Sequence, residues 1–180
     1  MVLRSFTGEG SYNELTIVKA DSKHAGELQH RLRNSDIREC LINGSTPWRA
    51  LHQPLGIKDA ETYAVTTGVR TIAMFGIVPI TQSNESVASI WMLGSEELHN
   101  HFRTWVRITG PVFDYFLTKY DIVENIVPIE HDDTMRLLTL CGCLFSKTPT
   151  IINGYACLRF VRCADHISVS FEEDERPASN

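Results

Sequence analysis

Ser86–Val87–Ala88–Ser89–Ile90–Trp91–Met92–Leu93–Gly94–Ser95 is the stretch whose reading decides the fold. Its β-type run stops at Gly94–Ser95, after which Leu98, Phe102, Trp105, Val112 and Phe116 recur at intervals suited to one helical face. A second extended run, Ile122 to Ile129, comes next. His131–Asp132–Asp133–Thr134–Met135–Arg136–Leu137–Leu138–Thr139–Leu140–Cys141–Gly142 then reads as a short helix, with acids in its first turn and glycine at its stop. Strand, helix and strand make a βαβ unit, whose right-handed crossover sets the two strands parallel and close together. The Gly94–Ser95 turn falls at the carboxyl end of the first strand, where open α/β sheets hold their ligands. Gly110–Pro111 removes one N–H inside the long helix and predicts a kink near Arg107 to Pro111.

Upstream, Leu15 to Ala20 is a short strand, and Asp21 or Ser22 can cap the helix that follows, with Ala25, Leu28 and Leu32 on one face. Ile37, Leu41 and Ile42 mark a second helix that stops at Asn43–Gly44. Ser45–Thr46–Pro47 starts a third, carrying Trp48, Leu51 and Leu55. Tyr63 to Thr66 and Val69 to Val78 flank a Thr67–Gly68 turn and read as a hairpin. Downstream, Phe145–Ser146–Lys147 and Tyr155 to Arg162 are two more strands, the second preceded by an Asn153–Gly154 turn. The expected division is a flexible arm over 1–14, one domain over 15–167 and an acidic, disordered tail over 168–180.

With 180 residues, 43% hydrophobic and 22% charged, the chain is long enough for one domain with a real core. The formal charge is −5, of which Glu172, Glu173, Asp174, Glu175 and Arg176 contribute −3. No basic footprint for nucleic acid is present. The N-terminus has no apolar run of signal-peptide length, and Ile72 to Ile80 falls far short of the ~20 residues that span a bilayer. Cys40, Cys141, Cys143, Cys157 and Cys163 have neither a disulfide framework nor zinc spacing, so buried thiols in a reducing cytoplasm are expected and no metal is implied.

The order of elements resembles the GCN5-related N-acetyltransferase (GNAT) fold. That is an α/β architecture with a mixed central sheet, helices on both faces, and a central strand that splays from its parallel neighbour to admit acetyl-coenzyme A. The match covers roughly Leu15 to Arg162 and is most specific from His131 to Phe145, which looks like the family's last helix motif. A narrower resemblance rests on Ile90–Trp91–Met92–Leu93–Gly94, Phe102–Arg103, Lys119–Tyr120, Asn125–Ile126–Val127 and Arg136–Leu137–Leu138. These phrases look like the internal virion protein A and acetyltransferase-like family of short-tailed phages. That resemblance implies a phage product in the host bacterial cytoplasm, with packaging in the virion open.

The family holds the coenzyme's diphosphate on backbone N–H groups of a glycine-rich turn at a helix start. Here the corresponding residues are Leu93, Gly94, Ser95 and Glu96, with Arg103 a turn or so further on. One glycine remains, the basic or amide residue is missing, and Glu96 and Glu97 complement the helix dipole themselves. The family's usual proton donor, a tyrosine in the last helix, is replaced by Leu138. The central strand carries no carboxylate for a base. Glu130 and His131, at the end of the parallel neighbour, and Tyr155, on the last strand, are the replacement candidates for acid–base chemistry. The plain structural alternatives are that His131 starts a helix and Tyr155 packs in a strand.

Two functions follow. One is a phage protein of acetyltransferase fold with decayed catalysis that binds virion proteins or a host bacterial protein. The other is an active acetyl-coenzyme A-dependent N-acetyltransferase. Fold alone does not choose between them.

Overall fold

The structure, a computed structural model, describes residues 9–12, 14–80 and 86–167. The proposed acidic tail lies outside the described residues. Among them the strands are β1 (Gly10–Tyr12), β2 (Leu15–Lys19), β3 (Glu61–Thr66), β4 (Thr71–Ile80), β5 (Val87–Gly94), β6 (Ile122–Pro128), β7 (Leu144–Phe145), β8 (Thr150–Ile152) and β9 (Tyr155–Cys163). The helices are α1 (Ser22–Leu28), α2 (Asn34–Ile42), α3 (Pro47–His52), α4 (Phe102–Leu117) and α5 (Asp132–Leu140). The strands form one sheet in the order β1-β2-β3-β4-β5-β6-β9-β7, with β8 paired to β9. Its pairs are antiparallel except β5–β6, the parallel pair that the βαβ reading requires.

Local chemistry sets the element ends. The Asp21 carboxylate accepts hydrogen bonds from the N–H groups of Lys23 (2.9 Å) and His24 (3.0 Å), and Thr46 Oγ1 accepts from Arg49 N–H (3.2 Å). The last turn of α5 closes when Gly142 N–H reaches the Thr139 carbonyl and Cys143 N–H reaches that of Leu138. This Schellman arrangement needs a left-handed residue, and Gly142 supplies it at φ +78°.

Two apolar layers flank the sheet. On one face Val65, Phe75, Ile77 and Ile90 pack with Trp105, Ile108, Val112 and Phe116 of α4 and Leu138 of α5. On the other, Ala64, Met74 and Leu93 pack with Ala25 and Leu28 of α1, Cys40 of α2 and Leu51 of α3. The alternation along β4 and β5 produces this division, because Met74 pairs with Leu93 and Phe75 with Met92.

Several sequence expectations are corrected. Gly10–Tyr12, assigned to a loose arm, is an edge strand whose Tyr12 is buried. Thr150–Ile152 is a strand where none was expected, held by β9. Both are too short to show a period, and a neighbour's ladder alone defines them. Residues Glu96–His101 form a 3-10 turn ahead of α4. Its tighter winding shifts the helical phase, so Phe102 is half exposed although Leu98 and Trp105 are buried. Leu41 and Trp48 also face solvent. Pro111 lies inside the long helix, Phe102–Leu117, where the sequence places it.

At Gly76 the backbones of β3 and β4 approach so closely that a Cβ would lie 2.2 Å from the Glu61 carbonyl oxygen. Gly76→Ala is therefore expected to cost about 2 kcal/mol or more, read as a lower urea midpoint. A loss below about 0.5 kcal/mol would show that the two strands separate freely there.

Candidate functional site

The parallel pairing of β5 with β6 covers only Val87↔Ile122, Ala88↔Val123 and Ser89↔Glu124. Beyond it the strands part. The Asn125 side chain takes the place of the next ladder bonds: its Nδ2 donates to the Ile90 carbonyl (2.6 Å), and its Oδ1 accepts from Ile126 N–H (2.8 Å). The fork so formed contains a cavity of about 100 Å³, lined among others by Ile90, Met92, Trp105, Asn125 and Leu138. It adjoins a groove of about 620 Å³ between the Leu98–Trp105 segment and the Glu130–Leu137 segment, and Met92, Trp105 and Leu137 border both.

The turn at the tip of β5 is closed off by the protein itself. Gly94 N–H donates to Asp36 Oδ2 at 2.6 Å, and Ser95 N–H donates to the Ile72 carbonyl at 2.8 Å, as does the Ser95 hydroxyl at 3.0 Å. Arg33 N–H donates to the Gly94 carbonyl (2.9 Å), and Leu98 N–H to that of Ser95 (3.1 Å). Asp36 is 4% exposed and is satisfied further by the Arg33 guanidinium (2.9 Å) and the Ser35 hydroxyl (3.1 Å). Glu97 lies 2.9 Å from Arg31 and 3.9 Å from Arg70, and Glu96 lies 3.3 Å from His99. A diphosphate at this turn would find the Gly94 and Ser95 donors already engaged and two carboxylates in the first turn. The turn therefore does not fit the diphosphate of coenzyme A, although the fork beside it is open.

Among the residues singled out from sequence, Leu93 and Ser95 are buried, and Gly94 and Ser95 serve the internal lock. Glu96 and Arg103 are exposed, and Arg103 lies outside both the cavity and the groove. Glu130 lines the groove and pairs with Arg38 at 3.1 Å. Tyr155 is half-buried and carries the same Arg38 guanidinium over its ring, 5.0 Å from the centroid. His131 lines the groove at the start of α5, where its side chain makes no capping bond.

Sequence reasoning missed Glu39 of α2. Its carboxylate lines the fork cavity and lies 3.7 Å from His131 Nδ1, longer than a hydrogen bond. Burial pushes Glu39 up to about 7, the Asp36 carboxylate adds to the rise, and Arg33 opposes it. Burial lowers His131, and the nearby charges of Asp36, Arg33, Arg38 and Glu130 act in both directions. A carboxyl that exchanges its proton near neutrality, facing a largely neutral imidazole, is suited to take a proton from a neutral-pH donor. Nothing in the sequence marks Glu39, because a Glu after Arg38 on a short helix reads as a solvated pair. Burial raises the Cys141 thiol to about 11 and that of Cys143 to about 12, which makes these two poor nucleophiles. Among the described residues no group of His, Cys, Asp or Glu could hold a metal ion, and no helix is long and apolar enough to cross a membrane.

A mixed sheet forked between its two parallel strands, with helices on both faces, is the GNAT acetyltransferase fold, and the chain has it. Comparison with solved structures finds that fold in several enzymes. A GNAT-family acetyltransferase from Bacillus anthracis superimposes with a TM-score of 0.63 at 11% identity, over 85% of this chain and 96% of that one. The spermidine N-acetyltransferase of Vibrio cholerae, solved with CoA and spermine, gives 0.64 at 14% identity, over 83% and 95%. The ribosomal-protein-S5-alanine acetyltransferase of Vibrio fischeri gives 0.63 at 12%, over 87% and 97%. No protein-family model matches the sequence, and no curated protein is significantly similar to it.

The two titrating groups pull stability in opposite directions. The folded chain holds the Glu39 proton between the ordinary 4.5 and about 7, so this contribution is full below 4.5 and is lost as pH rises through 7. The His131 contribution is present above the ordinary 6.5 and is lost as pH falls through its lowered folded value. Glu39→Gln removes only the first, so the variant should gain on the parent by up to roughly 3 kcal/mol between pH 4.5 and 7 in denaturant titrations. A difference that does not vary with pH would place Glu39 in solvent.

Proposed function

We propose that this chain is a phage-encoded protein of GNAT fold that works by contact with another protein rather than by acetyl transfer. Its partner would be a virion component or a host bacterial enzyme, met in the host cytoplasm or inside the virion. The observation that carries the reading is the Asp36 carboxylate on Gly94 N–H, a side chain of the chain's own at the turn that would face a diphosphate. Two further features support it: Glu96 and Glu97 open the following turn, and Leu138 stands where a proton-donating tyrosine is expected. The phage origin rests on the motif string from Ile90 to Leu138 alone.

A second reading, an acetyl-coenzyme A-dependent N-acetyltransferase, is favoured by one observation. Glu39, raised to about 7 at the wall of the fork and 3.7 Å from His131, is poised to accept a proton from an attacking amine. The fold neighbours that act on amines belong to the same side of the argument.

Thermal denaturation with acetyl-coenzyme A separates the two. The binding reading predicts an unchanged Tm at about 1 mM coenzyme, because a ligand at a hundred times its Kd would add about 2.7 kcal/mol. A rise of several degrees, with amine-dependent turnover that Glu39→Gln lowers about a hundredfold or more, would establish the enzyme instead.

A further inference from the structure

α2 crosses from one half of the forked sheet to the other. Its start is tied to the tip of β5, through Arg33 N–H on the Gly94 carbonyl (2.9 Å) and the Asp36 carboxylate on Gly94 N–H (2.6 Å). Its end is tied to elements beyond the split. Arg38 pairs with Glu130, just after β6, at 3.1 Å and lies over the Tyr155 ring of β9, while Glu39 stands 3.7 Å from His131. Asn153, in the turn between β8 and β9, donates from Nδ2 to the Ile42 carbonyl at 2.7 Å. β5 and β6 share no ladder beyond Ser89, so α2 joins the two halves where the strands diverge, and Arg33, Asp36 and Glu39 form part of the cavity wall.

The two ends are held unequally. Asp36 is buried and saturated by Gly94, Arg33 and Ser35, and a charge so compensated is costly to pull away. At the other end the Arg38–Glu130 pair is half-exposed, and exposed pairs hold weakly. The Glu39–His131 contact is longer than a hydrogen bond. What keeps this end down is the burial of Cys40 and Ile42 together with the Asn153 bond.

Glu39 is where the balance can be tipped. Asp36 lies one turn back on the same helix, and the Arg33 guanidinium is committed to Asp36 at 2.9 Å. The titratable and charged groups on the elements packed against α2 are Glu130 and His131 at the β6–α5 junction, Tyr155 and Cys157 on β9, and Arg49 and His52 on α3. Among the described residues no lysine or arginine pairs with Glu39, and burial holds His131 toward its neutral form. Ionised Glu39 therefore stands as a second carboxylate beside Asp36, in a wall from which water is largely excluded.

We propose that α2 is a strap across the fork, hinged at Arg33–Asp36 and latched at Arg38–Ile42, whose latched end lifts in mildly alkaline solution and opens the cavity from the α2 side. The inference goes beyond both readings of function, since it concerns access to the fork and not what enters it.

The test compares the full chain with Glu39→Gln between pH 6 and 8.5, by hydrogen exchange of the 38–42 amides in NMR spectra and by iodoacetamide alkylation of Cys40 followed by mass spectrometry. The ratio of parent to variant rates at each pH cancels the intrinsic pH dependence of both reactions. Burial and Asp36 keep the Glu39 proton up to about 7 when the strap is down, and in the lifted state the group returns to its ordinary 4.5. The ratio should accordingly rise about tenfold across this range. The Gly94 amide at the hinge and Cys141 in the opposite apolar layer should keep a constant ratio. A flat ratio at the 38–42 amides or at Cys40 would overturn the proposal. So would an equal rise at Gly94 and Cys141, because Glu39 would then act on the stability of the whole fold and not on one end of α2.

Discussion

The architecture depends on a short parallel pairing that is stopped in a controlled way. β5 and β6 share a ladder only from Val87 to Ser89, and the Asn125 amide then bridges to the Ile90 carbonyl at 2.6 Å. Strands that diverge leave unpaired backbone groups, which are costly away from water. Asn125 offsets part of that cost at the vertex of the fork, where its side chain supplies both a donor and an acceptor. The remainder of β6 turns to β9 and pairs with it along its whole length, from Ile122↔Cys163 to Pro128↔Cys157. The central strand is thereby free to lean toward β4, and a cavity opens with one wall on each side of the split.

What the chain does with that opening is set by the residues at the start of α2. Arg33 and Asp36 reach the tip of β5, one through its backbone N–H to the Gly94 carbonyl and the other through its carboxylate to the Gly94 N–H. Both edges of the turn are thus tied to the helical layer by groups that do not depend on a ligand. Asp36 is buried with its charge compensated by Arg33, and removing one partner of such a pair is costly because the other is left uncompensated. The same layer places Glu39 one turn further along α2, at the wall of the fork, where burial and the neighbouring Asp36 hold its proton into the neutral range. A single short helix therefore ties down the Gly94–Ser95 turn and lines the remaining cavity.

Much of this was legible in the residues. The capping of α1 by Asp21, the proline-led start of α3, the Thr67–Gly68 hairpin turn and the glycine stop after α5 are local signals, and each is found where its chemistry puts it. The parallel placement of β5 and β6 follows from the order of elements and the handedness of the crossover. The short strands β1 and β8 were not legible, because a few residues at a sheet edge become strand only through the partner that pairs them. The exposure of Phe102 was hidden by a 3-10 turn that changes the helical phase before α4 begins. Asp36 and Glu39 look like ordinary surface acids of a nine-residue helix. Only the packing of α2 against the sheet makes one a lock and the other a titrating wall.

The central claim is that the backbone donors of the Gly94–Ser95 turn are engaged by the protein itself. Amide hydrogen exchange at these two residues, followed by NMR with and without coenzyme A, tests it directly. The account predicts slow exchange at both sites that coenzyme A leaves unchanged. Rapid exchange in the free protein, or protection that arises only when coenzyme A is added, would contradict it.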